Sequence, residues 1–157
     1  MSKHFIIDGY NAMHKLCLCE DNNLQAGRER LIALIDKYKL TGSKNNTRTI
    51  VFDGKRDVFS PCENGQRGVV FTQDETADNK IKRMVERSKN PREMVVVTDD
   101  NEIRYYTRGL GAEVRNIVEF FAKAKRKSRA SCSEKPSEYD ESYLEITDEL
   151  KKIWLKK

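Results

Sequence analysis

The sequence predicts an α/β fold, a mostly parallel β-sheet with helices on both faces. Two observations carry this expectation. Short apolar runs alternate along the chain with segments whose apolar residues recur at helical spacing. One run, Met94-Val95-Val96-Val97, is continuously apolar and mostly branched, as in a strand buried on both faces. The length of 157 residues agrees, since an average domain has roughly 150.

Each element follows in order. His4 to Ile7 (HFII) reads as the first strand, with His4 a strand residue, and it ends in Asp8-Gly9. Leu24, Gly27, Arg28, Leu31, Ile35 and Tyr38 follow helical spacing, Ile32 and Leu34 widen the apolar side, and Gly42 marks the stop. Arg48 to Phe52 (RTIVF) is a second strand and again ends in Asp-Gly, at Asp53-Gly54. Residues 55–67 carry Pro61, Asn64, Gly65 and many charges, and read as a loop. Gly68 to Phe71 (GVVF) is a third short strand. Thr72-Gln73-Asp74-Glu75 fits a capping box. The helix it opens has Ala77, Ile81, Met84 and Val85 on one side and ends near Asn90-Pro91. After the Met94–Val97 strand, Thr98-Asp99-Asp100-Asn101 caps a helix that ends near Gly109-Leu110-Gly111. Glu113 to Arg115 is an edge strand, and Ile117, Phe120 and Phe121 begin a last core helix.

The composition then changes. Lys123, Lys125, Arg126, Lys127 and Arg129 form a basic run, and Ser128, Ser131, Ser133, Pro136 and Ser137 read as a linker. Tyr143, Ile146, Leu150, Ile153 and Trp154 recur at helical spacing and make a short amphipathic helix. The expected division is therefore a domain over 1–122 and a basic linker with a C-terminal helix over 123–157.

Composition excludes several classes. The longest apolar runs have about four residues, so no membrane span is expected. No apolar stretch of signal-peptide type follows Met1, so the expected location is cytoplasmic. Cys17, Cys19, Cys62 and Cys132 contain no C-x-x-C pair, which argues against a zinc ribbon or a thioredoxin-type site. With Lys plus Arg at 30 and Asp plus Glu at 25, the formal charge is +5, a weak lean toward a nucleic-acid partner.

The acids carry the chemistry. In an open parallel sheet, ligands bind outside the carboxyl ends of the strands. The predicted strands place Asp8, Asp53 and the pair Asp99-Asp100 there, and Asp78 lies one turn inside the helix after the third strand. Carboxylates converging on one edge raise each other's pKa, and a bound divalent cation relieves that repulsion. Mg²⁺ suits a few carboxylates with waters and a substrate phosphate. Such a site hydrolyses a phosphodiester by a metal-activated water. Each acid also has a plain structural reading: Asp-Gly turns at Asp8 and Asp53, an N-cap at Asp99 or Asp100, and a dipole-favoured first-turn acid at Asp78. Asn11 likewise suits a local turn.

The segment Phe5-Ile6-Ile7-Asp8-Gly9-Tyr10-Asn11 resembles the first strand of NYN-domain proteins, in the PIN-like nuclease group, and the YacP-like branch above all. Further resemblance lies in Ile50-Val51-Phe52-Asp53, in Val70-Phe71-Thr72 leading to Glu75-Thr76-Ala77-Asp78, in Val97-Thr98-Asp99 and in Gly109-Leu110-Gly111-Ala112. It covers roughly residues 3–122, with a less specific likeness in the basic tail. The resemblance implies a PIN-like α/β/α sandwich and an endoribonuclease using Mg²⁺ or Mn²⁺. Family acids carry over to Asp8, Asp78 and Asp99, with Asp53 and Asp100 in support and Asn11 as a site-lining orienter. Where YacP-like chains often have Thr-Ser-Asp, this one has Thr98-Asp99-Asp100, so either aspartate fits the ligand position. The resemblance also implies an RNA partner, single-stranded, with messenger RNA at the ribosome as one setting.

Other residues fit RNA contacts. Lys55, Arg56 and Arg67 sit in the loop at the acid edge, Lys82 lies on the helix with Asp78, and Lys125, Arg126 and Lys127 lie in the basic run. The helix cations Lys80, Lys82, Arg83 and Arg87 equally fit a solvated face. Tyr10 fits either stacking on a base or packing beneath the first loop. The rival to an enzyme is a non-catalytic RNA- or ribosome-binding module of the same fold. Other enzyme classes fit poorly. A haloacid-dehalogenase-type phosphatase wants an acid at Tyr10, and a dinucleotide-binding domain wants G-x-G-x-x-G after its first strand. The sequence leaves the oligomeric state open.

Overall fold

The computed structural model describes residues 1–18, 23–54, 68–72 and 74–122. The predicted loop contacts Lys55, Arg56 and Arg67, the basic run with Lys125, Arg126 and Lys127, and the C-terminal helix lie outside the described residues. The elements are β1 (His4–Asp8), α1 (Gly9–Lys15), α2 (Leu24–Lys37), β2 (Thr47–Asp53), β3 (Val69–Thr72), α3 (Ala77–Glu86), β4 (Met94–Val97), α4 (Asn101–Gly109) and β5 (Glu113–Arg115). A last helix, α5, begins at residue 117 and is described to 122.

The five strands form one sheet in the order β3-β2-β1-β4-β5. Every neighbouring pair is parallel. The chain winds outward from β1 through β2 to β3, then crosses back to β4 and β5. The order therefore reverses between β1 and β4, which is where such sheets open a crevice for ligands. Ile7 stands beside Ile50 of β2 and Val97 of β4, so β1 and β4 end within one residue of each other, while β2 runs two residues past the partner of Asp8, to Asp53.

Both faces are covered, which is why β1 and β4 read as continuous apolar runs. On one face Phe5, Ile7, Ile50, Phe52, Val95 and Val97 pack with Leu31 and Ile35 of α2 and with Ile117 and Phe120 of α5. On the other, Ile6, Val51 and Val96 pack with Ile81 and Val85 of α3 and Ile103 of α4. The helix expected from Leu24 forms but ends at Lys37 with Tyr38 as C-cap, five residues short of the expected stop at Gly42, while the buried Met94–Val97 strand and the edge position of Glu113–Arg115 stand as expected.

Three local expectations are corrected. Thr72 does not cap a helix: it is the last residue of β3, paired with Asp53, and its hydroxyl donates to the Phe52 carbonyl at 3.4 Å. The cap of α3 is Thr76, whose hydroxyl accepts from the Asn79 N–H at 3.3 Å. That helix ends at Glu86 with Arg87 as C-cap, and Pro91–Glu93 makes a separate 3₁₀ turn. Asp8-Gly9 opens a short helix, α1, rather than a simple turn, because the Asp8 carboxylate caps it by accepting from the Asn11 N–H.

Gly9 is explained by crowding. A Cβ on Gly9 would lie 2.3 Å from the Phe52 ring. The bare Cα lets α1 start directly against β2. Gly9→Ala should therefore destabilise the fold by about 1–3 kcal/mol through overpacking. A urea unfolding midpoint measures it, and an unchanged midpoint would mean that the Phe52 ring can retreat.

Candidate active site

Side chains alternate across a strand, and that alternation gathers the site. In β1, Phe5 and Ile7 face α2 while Ile6 faces α3. Asp8, two residues past Ile6, thus turns to the α3 side. Asp53 follows Val51 by the same step, and Thr98 follows Val96. Thr98 is still extended, its N–H donating to the Arg115 carbonyl at 3.2 Å. Three polar side chains from neighbouring strand ends therefore project over one face. There α3 crosses the sheet, packed against β1 and β2, and carries Asp78 in its first turn.

Asp8 is 6% exposed. One carboxylate oxygen accepts from the Asn11 N–H at 3.3 Å, and the other accepts from the Thr98 hydroxyl at 3.2 Å. Burial pushes its pKa above 3.8, and the charge of Asp78 adds to the rise, while the Asn11 and Thr98 hydrogen bonds oppose it. Asp78 is raised too, first by burial and then by the charges of Asp100, Glu102 and Asp53, with Lys82 opposing. Each acid feels its neighbours, so the edge carries a surplus of negative charge. Asp53 accepts from the Thr72 hydroxyl at 3.3 Å and is otherwise open to solvent.

Thr98 joins these groups. It is fully buried, and its hydroxyl meets three partners. It donates to Asp8, accepts from the Asn11 side-chain amide at 3.2 Å, and accepts from the Asp100 N–H at 3.1 Å. Reading the sequence passed over Thr98 as a site residue. Its place directly before the acid pair was the one available signal.

The acid pair divides its tasks. Asp100 caps α4, accepting from the Glu102 and Ile103 N–H groups at 2.8 and 3.3 Å, and lies within electrostatic range of Asp78. Asp99 engages a different set. It accepts from the Ile117 N–H at 2.9 Å, at the start of α5, and pairs with Lys15 of α1 at 3.3 Å. Alternation explains the split, because Asp99 points opposite to Thr98.

Tyr10 packs. Its ring stands edge-on to Phe52 with centroids 5.4 Å apart, and the Arg28 guanidinium donates to its hydroxyl at 2.5 Å. Lys82 pairs with Glu102 of α4 and leans on the Tyr106 ring. Lys80 and Arg83 pair with Glu75, as a solvated helix face does.

Among the described residues, no group of three His, Cys, Asp or Glu side chains is placed to hold a metal ion. The set Asp8, Asp53, Asp78, Asp99 and Asp100 is thus not a closed cage. The donors still suit a divalent cation in kind. Mg²⁺ is commonly held by one or two carboxylates, with waters and substrate phosphates completing its shell. Asp8 and Asp78, each raised first by burial and further by neighbouring negative charge, are carboxylates of that kind.

The folded pKa values of Asp8 and Asp78 lie above 3.8, so the native state holds protons that the unfolded chain releases. Stability from these groups is full at low pH and is lost as pH rises through the folded values. Without added metal, Asp8→Asn and Asp78→Asn should therefore melt higher than the wild-type chain at neutral pH. The gap should close as the pH falls toward 3.8, and a gap independent of pH would contradict this. Thr98→Val takes the partner from one Asp8 oxygen, from the Asn11 side-chain amide and from the Asp100 N–H, and should cost about 1–3 kcal/mol. Thr98→Ser keeps the hydroxyl and should lose less in the same denaturation experiment.

The fold has known counterparts. The crystal structure of Rae1 (YacP) from Bacillus subtilis superposes with a TM-score of 0.62 at 22% identity, over 98% of this chain and 92% of that one. A tryptophan-to-leucine variant of the same protein gives 0.62 at 23%, over 96% and 92%. No curated protein sequence matches the chain. Residues 5–157 match the YacP-like NYN domain, and the chain belongs to that family.

Proposed function

We propose that the protein is a metal-dependent endoribonuclease that cleaves single-stranded RNA at the carboxyl edge of its sheet. One observation carries the reading: the charges of Asp53 and Asp100 bear on Asp78, and that of Asp78 on buried Asp8, at the switch point of a nuclease-like fold. Family membership supports the same chemistry.

Asp8 and Asp78 would hold Mg²⁺ or Mn²⁺, with Asp53 and Asp100 adding negative charge around it. The chemistry such an ion supplies is a water acidified for attack and a counter-charge for the phosphate. The chain's own residues set the stage. Thr98 and the Asn11 backbone pin both oxygens of Asp8, so its carboxylate does not have to be oriented when substrate arrives. The Asn11 amide, held by Thr98, lines the site. Asp99, engaged with Lys15 and Ile117, would brace α1 and α5, and of the two adjacent aspartates Asp100 would be the one beside the ion. Messenger RNA at the ribosome, in the cytoplasm, is the substrate setting that the family resemblance supports.

The test is incubation of purified protein with single-stranded RNA in Mn²⁺, in Mg²⁺ and in EDTA, with Asp8→Asn/Asp78→Asn alongside. Cleavage should need metal and vanish in the double variant, while Asp99→Asn keeps more activity than Asp100→Asn. Adding ribosomes and messenger RNA extends the same assay to the ribosomal setting. Tight RNA binding with no cleavage in either setting would instead identify a non-catalytic RNA-binding module.

A further inference from the structure

We infer that the outward face of α4 is a track for single-stranded RNA, leading away from the acid edge. The inference deepens the nuclease reading and rests on it. α4 begins at its cap, Asp100, beside the acids, and so runs outward from them.

The helix has three sides. Ile103 and Thr107 are fully buried against the domain. Glu102 and Tyr106 turn toward α3, where Lys82 pairs with Glu102 and the Tyr106 hydroxyl donates to Glu86. With about 3.6 residues per turn, Asn101, Arg104, Tyr105 and Arg108 fall together on the remaining side. None of the four is acidic, and two are always cationic.

Tyr105 is 75% exposed. Among the described residues, no hydrogen bond, ring or cation interaction engages Tyr105 or the Arg108 guanidinium. Among the described residues the Arg104 side chain makes a single long hydrogen bond, 3.5 Å to Asn101, and its buried Nε has no partner there. Single exposed apolar residues are ordinary on protein surfaces. The pattern here is a free aromatic ring that shares one helix face with two arginines.

The partner must therefore offer both negative charge and flat, accessible rings. Single-stranded RNA does, with phosphates for Arg104 and Arg108 and an unstacked base for Tyr105. A duplex hides its bases, and an acidic peptide segment leaves the ring unused. Tyr105 lies about 7 Å along the axis from Asp100, within reach of nucleotides flanking the one held at the acids.

The test uses the full chain and a fluorescent single-stranded oligonucleotide, with binding followed by anisotropy in EDTA. Circular dichroism checks that each variant is folded. Tyr105→Ala should weaken binding about 5- to 150-fold, and Tyr105→Phe should restore most of it. Arg104→Ala/Arg108→Ala should weaken binding and flatten the salt dependence, by roughly 0.7 for each phosphate no longer neutralised. In the cleavage assay, KM should rise by a similar factor. Unchanged binding by Tyr105→Ala, with cleavage intact, would overturn the track and leave the nuclease standing. Weakened binding by the variant, where even the wild-type chain never cleaves, would keep the track and retire the nuclease. Weaker attachment to ribosomes with oligonucleotide affinity unchanged would overturn it in favour of a protein-facing surface.

Discussion

The hydrogen bond from the Thr98 hydroxyl to the Asp8 carboxylate bridges the two strand ends at which the sheet changes direction. Most of the site hangs from it. The same hydroxyl accepts from the Asn11 amide and from the Asp100 backbone, so one buried oxygen ties β1, α1 and the entry to α4 together. A buried polar group needs its partners, and here each partner is also a site residue. Orientation at the acid edge is thereby coupled to the integrity of the fold.

Hydrophobic packing supplies what this edge costs. Two separate apolar layers, one on each face, hold the sheet between its helices, and one of them packs α3 across it. Within that frame Asp8 and Asp78 sit in surroundings that disfavour their charge. Groups held away from their ordinary ionisation are common where a protein does chemistry. The electrostatic cost is local, and the buried cores tolerate it.

The adjacent aspartates show how a pleat assigns roles. Asp99 and Asp100 are the same residue type, one position apart. The first braces α1 and α5 through Lys15 and Ile117, and the second caps α4 beside Asp78. Tyr10 makes a similar point. Its place in an apparent motif suited stacking on a base, but Phe52 and Arg28 hold its ring in packing.

Much of this was legible along the chain. Apolar periodicity identified the strands, α2 and α3, because burial on one face or two dictates spacing locally. The acids at strand ends followed from the rule that parallel sheets present their carboxyl ends to ligands, and the ordered motifs from Asp8 to Ala112 identified the family. Short-range signals failed where two local choices compete. Thr72 and Thr76 both suit a helix cap, and only pairing with Asp53 decides that Thr72 stays in the sheet. The short α1 carries too few apolar residues for a period to show. The role of Thr98, the parting of Asp99 from Asp100 and the outward Arg–Tyr–Arg face of α4 belong to the tertiary structure alone. They depend on which face of the sheet a helix covers, and that is set by contacts between residues far apart in the chain.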